Sequence, residues 1–175
     1  MDAADLDVLK AISFAARAHR HQVRKDGHTP YAAHAFRVAH IARHDFGIDD
    51  PEVLTIAVLH DTIEDTTTDY DDLVEGFGER VARGVAALTK DMRLPEAERE
   101  AAYLRQVAEA EPAVHLCKLA DIADNLIDGE HLAPAARAKS LARARAYLDH
   151  FDRHRSPETD RALAIVTELW LDRTR

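Results

Sequence analysis

Cysteine is nearly missing from this 175-residue chain, where Cys117 stands alone. An internal disulfide and a cysteine-based zinc cluster are thereby excluded, and Cys117 is expected to be a small buried apolar residue. Glycine and proline are sparse, six of each, too few for a loop-rich or disordered chain. Aromatic residues make up only 6%, and the abundance of alanine leans toward helix. No apolar run approaches the roughly 20 residues that span a bilayer. The opening MDAADLDVLK lacks the basic and apolar regions of a signal peptide, so a cytoplasmic location is expected. Positive charge is in deficit as well. A formal net charge of −9 argues against general nucleic-acid binding, which needs a basic footprint. A local basic cluster or a metal can still reverse the field inside one cleft.

What is present is a globular composition, 46% hydrophobic and 31% charged, and a length suited to one domain over 1–175. Helical periodicity dominates, with no repeat and almost no strand-like alternation. A first helix is expected over 5–22, with Leu6, Leu9, Ile12 and Ala16 along its apolar stripe. Asp26 to Pro30 reads as a turn, and a second helix covers 31–45. Asp50 and Pro51 supply the N-cap and first residue of a third helix ending near Thr62. Thr68 or Asp69 caps a short helix to Phe77, and Gly78 separates it from another through Leu88. Pro95 and Pro112 open helices to Ala110 and Ile127, and amphipathic helices follow over 135–152 and 157–172. The fold class expected is all-α, a bundle of about eight helices with short connections. Its motif-bearing core covers 15–128, with C-terminal packing helices over 134–175. Trp170, Leu169 and Leu171 either pack on that core or mediate self-association, and the oligomeric state is left open.

The third helix carries the strongest anomaly. Val53, Leu54, Ile56, Ala57, Val58 and Leu59 surround its whole circumference, so it should be buried on all sides. It ends on His60 and Asp61, and six acidic residues with no basic one lie between Asp61 and Asp72. Asp69, Asp71 and Asp72 suit a helix start. Asp61 does not, because an ionised carboxylate at the end of a core helix is costly unless paired or metal-bound. A divalent ion supplies the missing charge, and imidazole with carboxylate suits Mn, Fe or Zn. Continued helical geometry would set His60 over Glu64 and Asp61 over Asp65, an unfavourable spacing for like charges. Lys118, Asp121, Asn125 and Asp128 share one face of a later helix, opposite Leu116, Leu119, Ala123, Leu126 and Ile127. Taken alone, that is an amphipathic helix with a wet side. Of the eleven histidines, His19, His21, His28, His40, His44, His115, His131, His150 and His154 are assigned to surface or ordinary packing.

Together, RKDG (24–27), TPYAAH (29–34), AVLHDTIEDT (57–66), then FG, TKD, LP and KLAD (118–121) resemble the HD-domain phosphohydrolases of the RelA/SpoT hydrolase type. More narrowly, they are similar to free-standing small alarmone hydrolases of the Mesh type, over about Ala15 to Asp128. The resemblance implies an all-helical fold and one metal, Mn2+ with Zn2+ or Fe2+ as alternatives, held by His34, His60, Asp61 and Asp121. It implies that Glu64 and Asp65 position and activate water, that Arg24 and Lys25 contact the nucleotide, and that Asn125 reaches its ribose. The implied reaction removes the 3′-pyrophosphate of (p)ppGpp by attack of a metal-bound water, giving GDP or GTP and pyrophosphate. Alternatives are an HD phosphohydrolase acting on another nucleotide, an adenosine alarmone or NADPH, and a catalytically idle nucleotide sensor. A small nucleotide is the expected partner, with neither nucleic acid nor membrane.

The family pattern is departed from at four places. Ala35 replaces a proline after the first ligand histidine, Ile122 and Ile127 stand where relatives carry basic residues, and Asp124 replaces an aromatic or histidine. Two fewer positive charges near a polyphosphate nucleotide are expected to weaken or redirect substrate binding. Lys90, Arg93 and Arg99 either extend the positive rim or stand solvated at the surface.

Overall fold

The computed structural model describes residues 3–175, and among these there is no strand, only an isolated bridge between Val23 and Pro30. The helices are α1 (Ala3–Ala18), α2 (Ala32–His44), α3 (Pro51–Leu59), α4 (Thr62–Asp65), α5 (Tyr70–Phe77), α6 (Glu79–Ala87), α7 (Glu96–Ala108), α8 (Pro112–Ile127), α9 (Pro134–Arg153) and α10 (Asp160–Thr174). A 3-10 turn, Asp128–His131, follows α8. The all-α expectation holds. The helix count exceeds the expected eight partly because the third helix stops at Leu59, leaving α4 as a separate turn.

Local chemistry sets the starts. The Asp50 side chain accepts the Glu52 N–H, with Pro51 as the first helical residue of α3. Asp69 and Asp72 form a reciprocal capping box on α5. Gly78, at φ 86°, makes the left-handed corner between α5 and α6.

Helix α3 is the hub, as its all-round apolar sequence implies. Val53 through Leu59 are each at most 5% exposed, and α3 packs against α1, α2, α6 and α8. The approach of α6 is close enough to require glycine. A Cβ on Gly84 would stand 2.5 Å from Ile56 Cδ1. Helix α1 makes its approach through small residues, and here the expected stripe is corrected. Leu6 and Leu9 are 42% and 49% exposed, whereas Ala11 and Ala15 are fully buried. The core-facing row runs Val8, Ala11, Ile12, Ala15, because alanines let two helix backbones come near.

Helix α8 lies among α2, α3, α9 and α10. Leu116, Leu119, Ala123 and Leu126 are buried as expected, while Ile127 is 45% exposed. The face expected to be wet is covered instead: Asp121 is buried, and Lys118 is 12% exposed at its side chain. At the C-terminal end, Trp170 donates from Nε1 to Leu141 O at 3.0 Å, the Arg145 guanidinium lies over its ring, and Leu169 joins the core. Leu171 is exposed. None of the described helices is long and apolar enough to cross a membrane.

Candidate active site

The break after α3 aims the His-Asp pair. His60 keeps helical angles, but Asp61 sits at φ −101°, ψ 0°, and α4 restarts from it, with Asp65 N–H donating to Asp61 O at 2.9 Å. Thr62, itself buried, caps the end of α3 by donating from Oγ1 to Leu59 O at 2.7 Å. His60 Nδ1 lies 2.8 Å from Ala57 O, which leaves Nε2 facing inward. That Nε2 is buried without a hydrogen-bond partner, although Asp61 Oδ2 lies 2.9 Å away, off the N–H line.

Two other helices complete the group. From α2, His34 Nε2 stands 3.4 Å from Asp61 Oδ2 and 3.3 Å from Asp121 Oδ1 of α8. Asp121 Oδ1 is also 3.9 Å from His60 Nε2. His34, His60 and Asp121 thus bring one ligand atom each to within 4.8 Å of one another. Donors about 2.1 Å from a shared ion stand about 3.0–4.2 Å apart, so these three side chains fit a divalent metal, with Asp61 Oδ2 adjacent at 2.9 and 3.4 Å from the two imidazole nitrogens. The orphaned nitrogen of His60 is what such an ion would satisfy.

Electrostatics agree. Burial opposes a proton on His34, yet Asp121, Asp124 and Asp61 outweigh it and hold its pKa well above the ordinary imidazole value. Burial opposes a proton on His60 too, and Asp61 overcomes it. Burial works to raise Asp61 and Asp121, but His60 and His34 around the first and Lys118 and His34 around the second hold both low. The site stores two carboxylates that demand positive charge. Protonated imidazoles meet that demand in the absence of a cation.

Glu64 and Asp65 lie on α4 beside this centre. Burial pushes the Glu64 carboxyl above its usual range, against the Lys90 backbone N–H at 2.8 Å and the Lys90 ammonium at 3.8 Å. Lost hydration on the cleft wall and the Asp61 charge raise Asp65, against the hydroxyl of Tyr31. Tyr31 Oη donates to Asp61 Oδ2 at 2.5 Å and lies 3.2 Å from Asp65 Oδ2, so one phenol touches both carboxylates.

The open side is a cleft of about 390 Å³ whose lining includes Arg24, Lys25 and Asn125 together with Lys90, Lys118, Arg143, Tyr103 and Tyr147. The 26–30 turn is pinned by Asp26, whose carboxylate accepts from His28 N, Thr29 N and Thr29 Oγ1. Arg24 is buried and already engaged, with Nε 2.8 Å from Asp128 Oδ2 and Nη2 donating to Asn125 Oδ1 at 3.0 Å. Asn125 in turn donates to Asp121 Oδ1 at 2.5 Å. Lys25 is exposed at the rim. Of the three further cations considered in the sequence, only Lys90 lines the cleft; Arg93 pairs with Asp91 at 89% side-chain exposure.

Sequence reasoning overlooked several neighbours. Tyr31 precedes His34 by one helical turn, a spacing that places both on one face and was a usable signal. His19, assigned to ordinary packing, is buried with its ring stacked on Tyr31 at 4.7 Å. Lys118 lies between the rings of Tyr103 and Tyr147, with Nζ 2.8 Å from Asp121 Oδ2. Asp124, counted only as a departure, is fully buried against His34 and Arg37.

Comparisons with known proteins follow the same lines. Residues 11–148 match the HD domain family. The human guanosine-3′,5′-bis(diphosphate) 3′-pyrophosphohydrolase MESH1 is 44% identical over 128 residues, 73% of this chain and 72% of that protein. The MESH1 of Danio rerio is 45% identical over 120 residues, 68% of this chain and 65% of that protein. A solved structure described as a metazoan ortholog of SpoT that hydrolyzes ppGpp and plays a role in starvation responses superposes with a TM-score of 0.87 at 28% identity, covering 99% of this chain and 97% of that one. With its histidines and aspartates gathered at one point and a match over most of its length, the chain belongs to the HD domain family.

Proposed function

We propose that this chain is a metal-dependent hydrolase that removes the 3′-pyrophosphate of (p)ppGpp, giving GDP or GTP and pyrophosphate. The observation that carries the reading is the convergence of His34 Nε2, His60 Nε2, Asp61 Oδ2 and Asp121 Oδ1 beside the Glu64–Asp65 pair. The curated relatives are named for this reaction. His34, His60, Asp61 and Asp121 would hold one divalent ion, Mn2+ in our reading. When bound, such an ion supplies Lewis acidity toward phosphate oxygens and acidifies coordinated water.

The chain's own residues account for the remainder. Hydrolysis adds the oxygen of water to phosphorus and breaks the bond to the ribose 3′ oxygen. The water must lose a proton and the departing oxygen must gain one. Glu64, with its affinity for protons raised by burial, is suited to take that proton, while Lys90 N–H fixes its direction. Asp65, steered by Tyr31, stands beside it to orient the water. Arg24, Lys25 and Asn125 form the wall for the nucleoside, and the held, planar Arg24 guanidinium suits stacking as well as charge. Lys90, Lys118 and Arg143, which also line the cleft, are the cations available to the phosphates.

A second reading, hydrolysis of another nucleotide, is favoured by Ile122, which lines the cleft as an apolar side chain where the family resemblance calls for a cation. The deciding experiment is an assay of purified protein with Mn2+ against ppGpp, its adenosine analogue and NADPH, with Asp61→Ala as control. Pyrophosphate release from ppGpp that disappears in the variant is the expected result. Turnover of another nucleotide alone overturns the substrate and keeps the metal chemistry. No turnover of any nucleotide leaves the sensor.

A further inference from the structure

Asp124 sits one turn beyond Asp121 on α8, fully buried, with no part in the reaction described above. Its Oδ2 lies 2.6 Å from His34 Nδ1, and Arg37 donates to it from Nε at 2.5 Å to Oδ1 and from Nη2 at 3.0 Å to Oδ2. A carboxylate without exposure is costly unless its lone pairs are filled, and here three donors fill them. The arrangement continues outward. Arg37 Nη2 reaches Asp128 Oδ1 at 3.3 Å, and Asp128 Oδ2 holds Arg24 Nε at 2.8 Å.

The consequence falls on His34. A carboxylate at Nδ1 keeps the proton there and leaves the Nε2 lone pair aimed at Asp61 and Asp121. The other ligand histidine is held differently, since His60 Nδ1 meets only the backbone carbonyl of Ala57. One ligand is thus backed by an anion and its partner by a neutral dipole, so His34 is the stronger donor of the two.

We propose that Asp124 is a positioning residue of the metal centre, fixing the tautomer and aim of His34 through a buried bond and joining that ligand, through Arg37 and Asp128, to the Arg24 loop. The inference rests on the metal site proposed above. The position was noted in the sequence only as the loss of an aromatic or histidine, yet it supplies the only side-chain partner that His34 Nδ1 has among the described residues.

The test is a competition of Mn2+-loaded protein against a calibrated chelator, together with the thermal midpoint of each variant. Asp124→Asn retains a weak acceptor for Nδ1–H and is expected to lower Mn2+ affinity about 10-fold, and Asp124→Leu about 100-fold. Arg37→Met keeps the carboxylate at His34 Nδ1 but removes two of its three donors, and because the three groups share one network it is expected to lower Mn2+ affinity by less than the Asp124→Leu loss. A graded loss at an unchanged midpoint supports the positioning role. Wild-type affinity in both Asp124 variants overturns it, and so does a loss that follows the fall in midpoint without grading from Asn to Leu. Should Asp124→Leu fail to fold, the isosteric Asp124→Asn decides alone. Wild-type protein that takes up no Mn2+ sinks the metal site itself, an outcome distinct from uptake that is indifferent to Asp124.

Discussion

Replacing Tyr31 with phenylalanine deletes one oxygen and leaves the ring stacked on His19. That oxygen has a single proton and two carboxylate neighbours, Asp61 at 2.5 Å and Asp65 at 3.2 Å. The shorter contact takes the proton, so the main loss falls on Asp61, the proposed metal ligand, and the lesser one on Asp65, the carboxylate proposed to orient water. A hydrogen bond to a charged group contributes about 1.5–3 kcal/mol, which corresponds to about 10- to 150-fold in an equilibrium or rate. The longer contact is worth about 1 kcal/mol or less, about fivefold. The two losses separate when pyrophosphate release is followed against Mn2+ concentration. Half-saturation by Mn2+ should rise about 10- to 150-fold, while kcat at saturating metal falls by no more than about fivefold. The opposite pattern, an unchanged half-saturation with kcat down tenfold or more, would refute the assignment of the proton to Asp61.

Further outcomes follow from other contacts. If Glu64 takes the proton, activity is lost as pH falls through its pKa, and that acid limb lies above the ordinary value of 4.5. Lys90→Met keeps the backbone N–H bond but removes the ammonium 3.8 Å from Glu64, which favoured the ionised form. The acid limb of kcat should then move upward, and an unmoved limb would exclude Glu64 as the base. Gly84→Ala gains about 1 kcal/mol of helix propensity but places a methyl 2.5 Å from Ile56 Cδ1, an overpacking cost of about 1–3 kcal/mol. The net loss of up to about 2 kcal/mol should lower the thermal midpoint by up to about 8 °C, with partial recovery in Ile56→Val, whereas a stabilised Gly84→Ala would contradict the tight α3–α6 approach.

Much of the helix order was legible because its punctuation is chemical and local. Asp50-Pro51, the Asp69 cap, Gly78 and Pro112 each act within a few residues, and each marks a boundary in the structure. The His60-Asp61 pair was legible for a similar reason, since an all-round apolar helix ending in charge announces itself. Failures arose where long-range packing decides. In α1 the large leucines drew the apolar stripe, but the close approach to α3 selects Ala11 and Ala15. In α8 the polar face was read as wet because charge usually means solvent. Its neighbours in space, His34 and Arg37 for Asp124 and Tyr103 and Tyr147 for Lys118, lie far away along the chain. Asp124 has no local signature at all, because its donors are 87 and 90 residues distant.

The departures at Ile122 and Ile127 are unequal once placed in space. Ile127 is exposed and lines no part of the cleft, so only Ile122 leaves the cleft wall without a charge. Five cationic side chains line the cleft, Arg24, Lys25, Lys90, Lys118 and Arg143, against the four carboxylates of Asp61, Glu64, Asp65 and Asp121. Arg24 is committed to Asp128, which stands outside the lining, so the remaining four cations only balance the four acids. At a pH above the raised pKa values of His34 and His60, where neither imidazole is charged, a divalent ion therefore decides the sign of the cleft, adding two positive charges where the protein alone is near neutral. Metal removal should weaken nucleotide binding and abolish turnover. The measurement is equilibrium dialysis of ppGpp against wild-type protein with Mn2+ and with excess chelator. At an effective dielectric near that of water, each unit-charge contact at about 4 Å contributes about 1 kcal/mol, so two added charges imply a weakening of about 10- to 30-fold. Equal retention of nucleotide with and without metal would show that Lys90, Lys118 and Arg143 suffice, and that the balance of charge reckoned over the whole lining is not what the phosphates encounter.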